Sequence, residues 1–186
     1  MNLPIVAYGD PILRKVAVDI DKNYPNLQQL IDDMFETMEK SKGVGLAAPQ
    51  INKSIRLFVI DSSKMYDEDE PDHGEALREV FINARMIEET GDDWPYEEGC
   101  LSIPNIREDV YRQEHILIEY YDRDFKKKKK TFKGLTARVI QHEYDHLEGK
   151  LFIDHIKPLK RTLLKGKLDK ISKGIVDVSY KMKFPK

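Results

Sequence analysis

His142-Glu143-Tyr144-Asp145-His146 closes residues 134–148, which read as one helix stopped by Gly149. Residues four apart share a helical face, so both imidazoles can reach one ion. Glu143 stands beside the first histidine, where it can serve a water on that ion without ligating the ion itself. Two histidines at this spacing also occur as packed or surface residues, and the pattern alone is short. Leu135 and Val139 put apolar side chains on the same side of the helix and turn the histidines inward.

Two histidines leave a tetrahedral site incomplete. Downstream of the helix only His155 remains, past the Gly149 stop, and it reads as structural. Upstream lies Glu97-Glu98-Gly99-Cys100-Leu101-Ser102, which contains the chain's single cysteine. A lone cysteine is commonly a small buried hydrophobe. Beside a two-histidine helix, a thiolate ligand is the better reading of Cys100.

A third segment is Gly43-Val44-Gly45-Leu46-Ala47-Ala48-Pro49-Gln50. Its G-x-G-x-x-A spacing is that of a dinucleotide-binding turn, but such a turn needs a strand before it and a helix after it. Here a helix precedes, and Pro49 stands where the next helix would have to run. Glycines that admit another backbone, followed by the Gln50 amide, suit a substrate groove and an oxyanion donor.

Around these segments the chain alternates irregularly between helix and strand. Leu27, Leu30, Ile31, Met34, Phe35 and Met38 recur at helical spacing behind Pro25, and the pattern ends at Ser41-Lys42-Gly43. Residues 56–61, residues 80–87 and the alternating Ile116, Ile118 and Tyr120 read as strands. Residues 64–75, acidic and carrying Pro71 and Gly74, read as a solvated loop. The lysine run at 126–130 is expected at a hairpin tip, as a solvated turn rather than an RNA-binding element. Pro158 opens a helix bearing Leu159, Leu163, Leu168 and Ile171, weakened by Gly166. Residues 176–184 alternate with period two and predict a terminal strand. The order favours an α+β fold, with mixed or antiparallel sheets around a central HExxH helix, a C-terminal helix and a terminal strand.

Composition sets the bounds. The 186 residues, 40% of them hydrophobic and 34% charged, suit one domain over residues 1–186. A net charge of −2 gives no reason to expect direct binding to nucleic acid or anionic lipid. No apolar run is long enough to span a membrane, the first residues lack the pattern of a secretory signal or transit peptide, and one cysteine cannot form an internal disulfide. The expectation is a soluble, cytoplasmic protein.

Taken together, the three segments resemble a known family. Residues 43–50 resemble the first motif of the peptide deformylases (GxGLAAxQ), residues 98–102 their second (EGCLS) and residues 141–146 their third (QHExDH). Residues 9–15 are similar to that family's N-terminal segment, and the resemblance covers all but the tail beyond Lys157. It implies hydrolysis of the formyl group from N-terminal formylmethionine of new polypeptides, with release of formate, in a bacterial-type cytoplasmic enzyme that meets its substrates at the ribosome.

Carried over by position, the resemblance makes Cys100, His142 and His146 the metal ligands. The ion is ferrous in the cell, with Zn²⁺, Ni²⁺ or Co²⁺ as substitutes. Glu143 moves the proton, while Gln50 and the Leu101 N–H stabilise the oxyanion. Val44, Gly45 and Gly99 pair with the substrate backbone, and Val44, Leu135, Val139 and the His142 ring line the methionine pocket. Glu98 and Arg112 match positions that brace the metal centre, with a surface ion pair as the plainer alternative. A charged Arg138 in the 135–139 stretch predicts an altered pocket rim. The competing function is an HExxH zinc endopeptidase, which would ordinarily take its third ligand from a downstream His or Glu.

Overall fold

The six apolar residues spaced as a helix are buried along one face of α1 (Leu27–Lys40). The computed structural model describes residues 1–66 and 75–185. Helix α1 covers one face of an antiparallel sheet ordered β2-β3-β4-β5-β6, built from β2 (Gly45–Ala47), β3 (Leu57–Asp61), β4 (Arg78–Cys100), β5 (Ile103–Tyr121) and β6 (Lys127–Lys133). Side chains alternate across a strand, so Leu57, Val59, Val80 and Ile82 pack with α1. Phe58, Ile60 and Phe81 face the other way, toward Val139 and Ile140 of α2 (Gly134–Leu147). Phe58 and Phe81, paired in register, stack with ring centroids 4.6 Å apart. The metal-motif helix thus lies against the sheet in the middle of the fold.

A third apolar cluster joins Ile103, Ile106 and Val110 of β5 to Leu164, Leu168 and Ile171 of α3 (Pro158–Ser172). Of the four apolar residues read on that helix, Leu168 and Ile171 are buried, while Leu159 and Leu163 are 73% and 74% exposed. The short parallel pair of β1 (Ile5–Val6) and β7 (Met182–Lys183) makes the fold mixed as well as antiparallel. Among the described residues no helix is long and apolar enough to cross a membrane.

Three expectations need correction. The lysine run is not a hairpin tip: Lys127 to Lys130 lie in β6, paired with Glu119 and Tyr120 among others. The reversal falls at residues 122–126, where the Asp122 carboxylate accepts from the Asp124 and Lys126 amides at 3.0 Å and Phe125 takes φ 58°. Carboxylates beneath the lysines make a strand tolerable, since Lys128 meets Glu79 and Asp122 at 2.9 and 3.1 Å. The tail is not one strand over residues 176–184, because only Met182–Lys183 finds a partner. Finally, the strand expected over residues 80–87 continues to Cys100. Its distal part is polar on both faces, so no alternation marks it. Most of the acidic loop expected over residues 64–75 lies outside the described residues, apart from a helical turn at Ser63–Met65.

Candidate metal centre

Cys100 ends β4, and Leu101-Ser102 turns the chain back into β5 with Cys100 opposite Ile103. That tight turn delivers the sulfur to the inner face of α2. There the Cys100 sulfur and one ring nitrogen each of His142 and His146 lie within 4.8 Å of one another. Cys100 Sγ stands 3.4 Å from His146 Nε2. The three donors, one sulfur and two imidazole nitrogens, form a set suited to a borderline divalent ion.

The donors are held from behind. His142 Nδ1 lies 2.9 Å from Glu98 Oε2, and a carboxylate only accepts, so Nδ1 carries the hydrogen and Nε2 is left for an ion. Glu98 is 5% exposed and takes both Nε and Nη2 of Arg112, at 2.7 and 3.1 Å. Arg112 also donates to Asp145 Oδ2, which His155 Nε2 meets from the other side at 2.7 Å. The Glu98–Arg112 contact is therefore a buried bidentate pair, not a surface one, and His155 contacts Asp145 rather than joining the donor set.

Charge in this cluster follows from burial and neighbours. Burial alone would raise the Cys100 thiol, but the His146 charge and hydrogen bonds with His142 and His146 outweigh it and bring the pKa down to about 5. Burial works against a charged His142, yet the Cys100 and Glu98 hydrogen bonds hold it well above the usual histidine value. For Glu98, burial is overcome by the hydrogen bonds from His142 and Arg112, which keep its carboxyl well below the ordinary range. Burial pushes Glu143 up to about 7, against the pull of the neighbouring His142 and His146 charges. Among the described residues Glu143 Oε2 and His146 Nδ1 are buried polar atoms without a hydrogen-bond partner. Imidazoles near a thiolate, beside an unpartnered carboxylate, fit a site where an ion displaces protons.

The centre opens into a cleft of about 630 Å³ lined by Val44, Gly45, Gln50, Gly99, Leu101 and Val139 among others. Gln50 is buried, and its Oε1 accepts from the Ala47 amide at 2.9 Å. That contact points the Nε2 donor at Cys100 Sγ, 3.5 Å away, and at Ser102 Oγ, 3.3 Å away. Among the described residues the Leu101 N–H has no hydrogen-bond partner. Leu135, half-buried one turn before Val139, is not part of the lining. Arg138 does line the cleft, yet it is only 2% exposed. Its guanidinium donates to Val110 O, Trp94 O and Glu98 Oε1 at 2.7, 2.6 and 3.1 Å and lies over the Trp94 ring. The sequence also gave no reason to place Tyr96 or the tail residues Asp177 to Tyr180 at this cleft, and all of them line it.

The polypeptide deformylase family profile matches residues 2–162. The peptide deformylase of Cytophaga hutchinsonii is 57% identical to this chain, covering 100% of it and 98% of the relative. That of Christiangramia forsetii is 55% identical, covering 100% and 97%. The crystal structure of a peptide deformylase from Legionella pneumophila superposes with a TM-score of 0.80 at 40% identity, covering 93% of this chain and 96% of the other. A plant peptide deformylase structure gives 0.82 at 34% identity, with 96% of each chain covered.

Proposed function

The chain belongs to the polypeptide deformylase family, and on that premise we propose that Cys100, His142 and His146 hold its ion while Glu143 carries the proton. The enzyme is a metal-dependent hydrolase that removes the N-formyl group from the N-terminus of nascent polypeptides. The zinc endopeptidase alternative is not favoured by relatives that are named peptide deformylases. The observation that carries the site assignment is the convergence of three donors beside a buried carboxylate of pKa about 7.

A divalent ion bound there supplies Lewis acidity toward water and toward the formyl carbonyl. Glu143, poised near neutrality, accepts the proton of the attacking water and returns it to the departing amine nitrogen. Gln50 Nε2 and the Leu101 N–H donate to the oxyanion. Val44 and Gly45 on one side and Gly99 on the other pair with the substrate backbone as an added strand. Val44, Val139 and the His142 ring receive the methionine side chain. Glu98 fixes the His142 ring, and Arg112 holds Glu98.

Ferrous iron is the ion assigned on the family resemblance, and one thiolate with two imidazoles accommodates it as well as zinc, nickel or cobalt. Residues 1–186 act as one catalytic domain in the cytoplasm, on formyl-methionine termini presented at the ribosome. The test is formate release from formyl-methionyl peptides, with metal analysis of the same sample. Acetyl-methionyl peptides should react far more slowly, and internal bonds should survive. Cleavage of casein at a comparable rate would overturn the reading.

A further inference from the structure

The tail after α3 returns to the cleft. The segment from Asp177 to Tyr180 lines it, beyond the residues that the family profile matches. Four hydrogen bonds hold the segment and the residues that follow it. Asn105 Nδ2 donates to Asp177 O at 3.1 Å, and Tyr180 Oη donates to Leu101 O at 2.8 Å. The Ile5 and Ala7 amides then donate to Lys181 O and Lys183 O at 2.9 and 2.8 Å, where β7 joins β1. Tyr180 and Leu101 pack against the same apolar cluster under α1, while Val176, Met182 and Phe184 pack against the cluster under α3. A Cβ built on Gly43 would meet Leu101 Cδ1 at 2.8 Å, so the Tyr180–Leu101 contact adjoins the Val44–Gly45 lip of the cleft.

Between these anchors Val178 and Ser179 are left over. Among the described residues their amides and carbonyls enter no hydrogen bond, although both residues line the cleft. Unpaired backbone groups and a half-buried valine, fixed on both sides at the edge of a groove, are the ingredients of strand-like peptide recognition. Tyr180 ties this segment to Leu101, the residue whose N–H is assigned to the oxyanion.

We propose that the segment from Asp177 to Tyr180 is a wall of the substrate cleft that recognises residues downstream of formylmethionine, with Tyr180 as the positioning residue that registers this wall against Leu101. The proposal rests on the deformylase reading of the same cleft. It makes peptide length, and not only the first residue, a determinant of KM.

The experiment measures kcat and KM for formyl-Met-Ala, formyl-Met-Ala-Ser and formyl-Met-Ala-Ser-Lys with the parent, Val178→Asp and Tyr180→Phe, each with its metal content determined. The parent's kcat/KM should rise with length. In Val178→Asp the ratio between the longest and shortest peptide should fall about fivefold, through KM, as expected for losing one or two side-chain contacts. Tyr180→Phe should lose the same length dependence and also lower kcat about threefold or more on every peptide, at unchanged metal content, because Leu101 is no longer held. Parent-like length ratios in both variants would overturn the proposal, as would a loss in Val178→Asp that falls equally on all lengths. Should Tyr180→Phe fold poorly, the Val178→Asp ratio decides alone. A parent that released no formate from any peptide would bring down the deformylase reading itself, and this proposal with it.

Discussion

His142 Nδ1 donates to Glu98 Oε2 at 2.9 Å, and the same carboxylate binds both Arg112 and Arg138. Glu98, Arg112 and Arg138 are all less than 10% exposed, so the carboxylate neutralises cations that have no water to turn to. Glu98→Gln keeps the shape but removes that charge. It should destabilise the fold by about 3–5 kcal/mol, the usual cost of leaving a buried ion unpaired. It should also weaken metal binding by roughly 10–100-fold, because the ligand ring loses its brace. Urea unfolding and metal titration of the variant would check both, and parent-like values in both would remove Glu98 from the support of the site.

Glu143→Gln separates proton transfer from ligation. Metal content should stay near the parent's while formate release falls about 10²–10⁴-fold, the usual contribution of a positioned acid–base group. The variant also has a signature in stability. Burial raises the folded pKa of Glu143 to about 7, from an ordinary 4.5. The folded state therefore holds the proton more tightly, and the stability this lends is full below about 4.5 and lost as pH rises through about 7. At pH 8 the metal-free variant should exceed the metal-free parent by roughly 3 kcal/mol, and at pH 4 the two should nearly coincide. Denaturant titrations with chelator and reductant at the two pH values measure this, and an equal difference at both would refute the assigned burial of charge.

What could be read from the chain follows what is local. The helical spacing of Leu27 to Met38, the i,i+4 histidines and the Gly149 stop are set by residues within a few turns, and each appears as expected. The distal half of β4 escaped because residues 88–93 are exposed and polar on both faces, so no alternation marks their pairing with β5. Arg138 was read as a charge at the pocket rim, yet it is folded back onto Glu98, 40 residues earlier in the chain. Only the long hairpin brings those groups together. The tail alternated like a strand, but pairing needs an edge, and β1 offers only Ile5–Val6.

Gly45 is the place where the strand and the acid meet. A Cβ built on it would lie 2.7 Å from both Cγ and Cδ of Glu143, which is too close for either to remain. Gly45→Ala should therefore displace the carboxylate while leaving the three metal donors alone. Formate release should fall about 10²-fold at parent metal content, as expected when a reacting group shifts by about 1 Å. Gly43→Ala makes a useful contrast. The tight contact of its Cβ would be with the end of the flexible Leu101 side chain, at 2.8 Å, the Gly45 and Met38 carbonyls lying at 3.4 and 3.5 Å, and it should cost far less. Equal losses in the two variants would show that general disturbance of the loop, not the Glu143 contact, is being measured.

Cys100 carries the last prediction. Hydrogen bonds and charge from His142 and His146 hold its thiol down at about 5, so at neutral pH it is a thiolate before any ion arrives. A thiolate adds negative charge to a ferrous ion and suits it as well as zinc, but it is also open to oxidation. Cys100 is half-buried and lines the same cleft that the substrate enters, so small oxidants share that route to it. The iron-loaded enzyme should lose activity in air or dilute peroxide, and the nickel-loaded enzyme should survive longer, since Ni²⁺ does not readily give up an electron there. Cys100→Ser replaces the thiolate with a neutral hydroxyl, a poor ligand. Prepared without air, that variant should hold little metal and release little formate, whereas His155→Ala should retain its ion because His155 contacts Asp145 outside the donor set. Metal content and formate release of the two variants beside the parent decide the matter. Full metal and full activity in Cys100→Ser would take the sulfur out of the site and leave two histidines without their third donor.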